Sequence, residues 1–311
     1  VQVSRLIEPV NVGEAPFCPG SFLVPGQQEI GEKLRSISVE RDVSFIAAPD
    51  ASFKSKPVKK LRIGLYQRYW GGNMDEGWTR WLLEQYGFDY TTIRDVDVKK
   101  GGLFEQFDVI VLPSDDKTML LGEGIEELFE KRFMGMAPPP RYPPEYRSSM
   151  GKDGVQKLKE FVMSGGTLVA LGESSNFAID ELKLPIVNVL ANLAPKDFFC
   201  VGSTLRVELQ KTHPLAYGMP DETLIYFRGN LAFEIKQGEK SEDVSVVMSY
   251  PDAPTPILQS GLLVGDKYLR RKAALAEIRL GKGSVVLFGF SPQFRAQTDV
   301  TFKLFFNTLI A

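Results

Sequence analysis

The apolar positions of this chain fall into short continuous runs separated by segments of helical period. Residues 61–66, 107–112 and 167–171 are runs rich in Ile, Val and Leu, the pattern of strands buried on both faces, and 90–93 is a shorter one. Between the first two strands in chain order, residues 75–86 place Trp78, Trp81, Leu82 and Tyr86 on one helical stripe. Asn73 or Asp75 can cap that helix and Gly87 can end it. After Lys152 the helical spacing returns with Val155, Leu158, Phe161 and Val162, and Gly165-Gly166 stops it. Alternation of this kind predicts an α/β domain with a parallel sheet.

The remaining segments depart from that rhythm. Residues 203–265 read as a mostly β elaboration of short strands, for example 205–209, 224–227 and 244–248. Residues 273–280 and 284–290 flank Gly281-Lys282-Gly283 and predict a hairpin. A last helix from about Thr298 carries Phe302, Phe305, Phe306 and Leu309 as its core stripe. Residues 1–60 read as a small α/β segment, with strands at 22–24 and 43–47, a helix over 27–39 with Ile30, Leu34 and Ile37 on one face, and a linker at 54–60. The proline-rich stretch 137–144 fits neither helix nor central strand and predicts a surface excursion. The main domain is therefore expected over 61–311.

Composition narrows the classes of function. Apolar residues at 43% and charged residues at 24% are ordinary for a folded chain, and this length buries a large core without staples. A net charge of −2 supplies no basic field for nucleic acid, and no apolar run reaches a membrane span. Cys18 and Cys200 pair only if the fold brings them together; Cys200, among apolar neighbours, reads as a buried thiol. The chain begins at Val1 with no visible leader pattern, which suggests processing or a piece of a longer protein.

The sharpest chemical candidate is the turn Gly172-Glu173-Ser174-Ser175-Asn176. It follows a buried strand, where α/β hydrolases carry a nucleophile, but Asn176 stands where that pattern wants glycine. A serine needs a base, and the sole histidine is His213, in a turn-rich segment; Asp180 or Asp197 would complete a triad on paper. A glutaminase-type enzyme needs cysteine in this turn, and there is none. One histidine does not make a zinc peptidase site. Gly281-Lys282-Gly283-Ser284 lacks the upstream glycine of a P-loop and precedes a strand. Gly71-Gly72 could approach a phosphate, without the full dinucleotide fingerprint.

In a doubly wound sheet, ligands sit beyond the carboxyl ends of the strands. The polar residues expected there are Arg68, Asn73 and Asp75 after the first main-domain strand, and Ser114, Asp115 and Asp116 after the third. Glu173, Ser174 and Asn176 follow the fourth, and Gln293, Arg295 and Gln297 the last. They form a candidate ligand cleft, with helix caps and loop ion pairs as the plainer alternative.

From Leu65-Tyr66 through Asp75-Glu76-Gly77-Trp78-Thr79-Arg80-Trp81 the sequence resembles the C-terminal region of large bacterial proteins of the zinc carboxypeptidase A family, in which an amidotransferase-like domain follows the peptidase. Residues 161–171, 197–205, 213–220 and 283–290, with Arg295, Gln297, Thr301, Phe302 and Asn307, extend the resemblance over about 61–311, and 20–25 match more loosely. It implies a flavodoxin-like, class I glutamine-amidotransferase-like sheet with helices on both faces. It also implies a peptidase domain, in the same chain or a partner, that carries the zinc, and a secreted or periplasmic setting. No zinc ligand, general-base glutamate or Cys-His-Glu set has a matching position here. The expected function is a non-catalytic accessory or binding domain, with no cofactor of its own. The alternatives are a serine hydrolase using Ser174 and His213, or a sugar-, cofactor- or other small-ligand-binding module akin to ThuA-like and β-galactosidase relatives of this fold, with Tyr69 and Trp70 as stacking faces.

Overall fold

In the computed structural model, residues 2–48, 52–125, 127–128, 130, 142–143, 146–229, 231–239 and 241–310 are described. Most of the proline-rich stretch lies outside them, so its expected excursion stays an expectation. The strands are β1 (Ser4–Leu6), β2 (Val10–Val12), β3 (Ala15–Phe17), β4 (Phe22–Leu23), β5 (Ser55–Pro57), β6 (Ile63–Tyr66), β7 (Tyr90–Ile93), β8 (Val109–Leu112) and β9 (Thr167–Leu171). They continue with β10 (Ile186–Asn188), β11 (Ser203–Leu209), β12 (Glu222–Phe227), β13 (Phe233–Ile235), β14 (Val244–Ser249), β15 (Leu258–Ser260), β16 (Ala273–Leu280) and β17 (Gly283–Phe288). The helices used below are α1 (Gly31–Arg41), α2 (Met74–Gln85), α3 (Asp95–Lys100), α4 (Leu103–Gln106), α5 (Lys117–Leu121), α6 (Gly151–Ser164), α7 (Ser174–Glu181) and α8 (Asp299–Thr308).

Five strands pair in parallel in the order β7-β6-β8-β9-β17. Counted along the main domain this is 2-1-3-4-5, the flavodoxin-like order. Every residue of β6 and β8 is buried, which is why these strands read as unbroken apolar runs. Alternate residues feed two cores. Leu65, Val109, Val111, Val169 and Phe288 pack with Leu82, Leu83, Phe302 and Phe305 of α2 and α8. Tyr66, Ile110, Leu112, Leu168 and Leu287 pack with Val98, Leu158, Phe161 and Phe177 on the other face. Helices therefore cover both faces, as expected. Beyond β17 the sheet turns antiparallel and continues through β16, β14, β11 and β12. That extension is the β-rich elaboration.

Three expectations fail for stated reasons. The stripe on α2 is offset from the buried face: Leu82 is buried as expected, but with Thr79 and Leu83, whereas Trp81 and Tyr86 are 40% and 56% exposed. The aromatics pack sideways, Trp78 on Trp81 at 5.9 Å and Tyr86 on Phe306 at 4.8 Å, so large rings misled the choice of face. Helix α1 forms within the expected segment, and none of its residues is buried. Residues 54–60, expected as a linker, contain β5, which pairs with β1; residues 43–47 form no strand. Arg5 on β1 donates to Asn307 Oδ1 at 3.0 Å and ties this small sheet to α8. Cys18 is exposed and Cys200 buried, and both are free thiols. Among the described residues no helix is long and apolar enough to cross a membrane.

Candidate functional site

The strand order reverses between β6 and β8, and the loops leaving these two strands are latched together there. Gly71 and Gly72, at φ 72° and 68°, turn the chain back after β6 in a left-handed conformation that suits glycine. Arg68 fixes that turn by donating to Trp70 O at 2.8 Å, to Gly72 O, and to Asp115 Oδ2 at 2.9 Å. Asn73 does two jobs. Its Oδ1 accepts from Asp75 N at 2.9 Å and caps α2, while its Nδ2 donates to Ser114 O and Asp115 Oδ2, each at 3.1 Å.

The turn after β9 is equally tied down. Gly172 has φ +50°, and a Cβ there would stand 2.5 Å from Ser114 Oγ, so only glycine fits. Ser114 Oγ accepts from Glu173 N at 3.1 Å. Ser174 is fully buried, donates to Pro113 O at 2.6 Å and accepts from Asp115 N at 3.1 Å. Ser175 donates to Ala170 O and Phe288 O. His213 is engaged elsewhere: its Nε2 meets Glu277 Oε2 at 3.1 Å and its Nδ1 accepts from Leu215 N at 3.3 Å. Asp180 pairs with Lys117 at 2.9 Å. The Ser174–His213 pairing drawn from sequence is thus corrected, because the serine hydroxyl locks two loops and both imidazole nitrogens have other partners.

Above these latches opens a cleft of about 640 Å³ at the switch point, the size of a small-molecule site. Seven of the expected residues line it: Arg68, Asn73, Asp75, Ser114, Asp115, Asp116 and Glu173. Ser174 lies beneath it. Asn176 supports Glu173 from behind, donating to Oε2 at 2.9 Å. Gln297 and Gln293 do not line it; Gln293 is buried and donates to Thr79 Oγ1 at 2.8 Å. Arg295 sits outside the lining, its guanidinium 5.5 Å from the Phe294 ring. The stacking faces also differ from expectation. Trp70 is buried against Tyr142 at 5.3 Å and Tyr69 packs on Tyr146 at 5.4 Å, whereas Tyr226 and Phe294, 4.3 Å apart, face the cleft.

Sequence reasoning missed Tyr226, Arg228 and Gly229, which reach the cleft from the end of β12. That strand belongs to the antiparallel elaboration, so the strand-end rule gave no reason to look there. Ser291 and Phe294 were findable, since they follow β17 as Gln293 does.

Burial shapes the charges. It pushes Asp115 up to about 6 although Arg68 opposes it. It raises Asp75 against the Ser291 hydrogen bond and the charges of Arg228 and Arg295, and it raises Glu173 against Asn176. Carboxyl groups held toward neutrality can donate as well as accept hydrogen bonds. Among the described residues, no group of three or more His, Cys, Asp or Glu is arranged to hold a metal ion.

No protein-family model matches this sequence, and no curated protein matches it. Solved structures share its architecture at low similarity. PurLQS from Thermotoga maritima superposes with a TM-score of 0.48 at 13% identity, over 81% of this chain and 98% of that one. A protein assigned to GMP synthase from Thermoplasma acidophilum gives 0.44 at 12%, over 80% and 92%. A ThuA-like protein from Bacteroides uniformis gives 0.42 at 11%, over 84% and 93%. At these scores the strand order, not the likeness, carries the fold assignment: a flavodoxin-like α/β chain with an antiparallel extension. None of the three is named as a peptidase, so the carboxypeptidase association rests on the sequence resemblance alone.

Proposed function

We propose that this chain is a binding module that holds a small polar ligand at the switch-point cleft and carries out no nucleophilic chemistry of its own. The observation behind it is the turn after β9. Where a nucleophile would stand, Ser174 is consumed in fixing Pro113 and Asp115, and Glu173 faces the cleft instead. A rigid, latched floor beneath partly buried carboxyl groups is suited to recognition, because little ordering is left to be done on binding.

The reading is tested on the purified chain by thermal shift against sugars, sugar acids, amino acids and nucleotides, alongside ester and peptide hydrolysis. A ligand that binds only the folded state raises the melting temperature; at a hundredfold excess over Kd it adds about 2.7 kcal/mol. Enzyme-like turnover would overturn the reading. Service beside a zinc peptidase domain is a further part of this proposal, supported by the resemblance over 61–311. It predicts that the reading frame upstream encodes H-x-x-E and a distant histidine.

A further inference from the structure

The charged groups of the cleft divide by whether their hydrogen-bonding capacity is already used. Each of the three guanidinium nitrogens of Arg68 already donates, to Trp70 O, Gly72 O and Asp115, and both oxygens of Asp115 accept, from Arg68, Asn73 and Asp116 N. Arg228 stands differently. It is exposed at the end of β12 with its guanidinium 5.8 Å from the Phe294 ring, and among the described residues no carboxylate pairs with it. Asp75 uses one oxygen on Ser291 and Glu173 one on Asn176; the second oxygen of each meets no donor among the described residues. The three groups converge. A Cβ on Gly229 would stand 3.2 Å from Glu173 Oε1, so the Arg228-Gly229 corner abuts that carboxyl, and the Arg228 charge reaches Asp75.

Resting on the binding-module reading, we propose that the cleft takes a small polyhydroxylated carboxylic acid. Its carboxylate meets Arg228, neighbouring hydroxyls donate to Asp75 and Glu173, and its C–H face lies on Tyr226 and Phe294. A planar guanidinium matches a carboxylate with two parallel hydrogen bonds. The open oxygens accept from hydroxyls, and hydroxyls also accept where a carboxyl is protonated, so a hydroxylated ligand satisfies either state. Polyphosphates fit poorly. The lining sets four carboxyl groups against two arginines, one of them already paired with Asp115, and the first amides of α2 are already capped by Asn73. A cation would engage the carboxyl groups but leave Arg228 without a partner, and so would a neutral sugar.

Calorimetric titration of the full chain with D-glucuronate, D-glucose, D-glucose 6-phosphate and acetate tests this. Glucuronate is expected to bind at least about tenfold tighter than glucose, the worth of a charge-assisted pair. In Arg228→Gln that preference falls to within about twofold with the melting temperature unchanged, and in Glu173→Gln both sugars weaken. Four results overturn the proposal: glucose binding as well as glucuronate, the preference surviving Arg228→Gln, acetate matching glucuronate, or the phosphate binding tighter than the carboxylate. Each of these leaves the binding-module reading standing. Absence of any heat here, together with no shift across the wider panel, removes both.

Discussion

Arg68 and Arg228 line one cleft from opposite parts of the sheet, Arg68 after the parallel strand β6 and Arg228 after the antiparallel strand β12. The side chain of Arg68 is 9% exposed and each of its guanidinium nitrogens donates to another residue. Arg228 is exposed, lies over the Phe294 ring, and among the described residues no carboxylate pairs with it. The parallel half builds the floor and spends most of its polar groups on holding loops together, leaving one oxygen each of Asp75 and Glu173 open. The antiparallel extension brings side chains whose bonds are still to be made. Being polar and near a strand end therefore does not identify a binding residue; an unspent donor or acceptor does.

The contrast breaks most visibly at Arg68. Arg68→Ala leaves Asp115 buried without its ion pair and is expected to cost about 3–5 kcal/mol in urea unfolding. Arg68→Ala combined with Asp115→Asn should cost less than the sum of the two single changes, since the stranded charge is gone. An equal loss from Arg228→Ala would contradict the division of roles.

Next in size is a pH effect from Asp115. Its folded carboxyl titrates at about 6 against an ordinary 3.8. The folded state therefore holds the proton more tightly than the unfolded state between those values, and stability falls as pH rises from about 4 to about 6, then levels off. Two pH units correspond to ~3 kcal/mol. Chemical unfolding across this window should show that slope, and Asp115→Asn should remove its share.

Ser174→Ala strips the partners of Pro113 O and Asp115 N and is expected to cost about 1–3 kcal/mol. A fluorophosphonate should leave Ser174 unlabelled in the wild type; labelling lost in His213→Ala would restore the hydrolase alternative. The smallest effect is expected at α1, where Leu34→Ala should stay within about 0.5 kcal/mol because the helix buries nothing.

These regions also differ in how well the sequence announced them. The parallel strands were legible because burial on both faces leaves an apolar run that few other structures need. The hairpin of β16 and β17 was legible from Gly281-Lys282-Gly283. The face of α2 was not, since Trp81 and Tyr86 outweigh Thr79 in any hydrophobic count, yet the threonine has Gln293 as a partner inside. For the site, proximity to strand ends found Arg68, Asp75 and Glu173. It could not find Arg228 or Tyr226, whose position depends on how far the extension reaches around the sheet. Nor could sequence tell the paired arginine from the open one, because that depends on long-range hydrogen bonds such as Arg68 to Asp115.

The most direct test of a binding cleft without a nucleophile is the thermal-shift panel run in parallel on the wild type and Glu173→Gln. The account predicts that at least one small polar compound raises the wild-type melting temperature by several degrees. The shift should be largely lost in Glu173→Gln, with the two apoproteins melting alike and neither turning over esters or peptides. An unchanged shift in Glu173→Gln, or no shift from any compound, would contradict it.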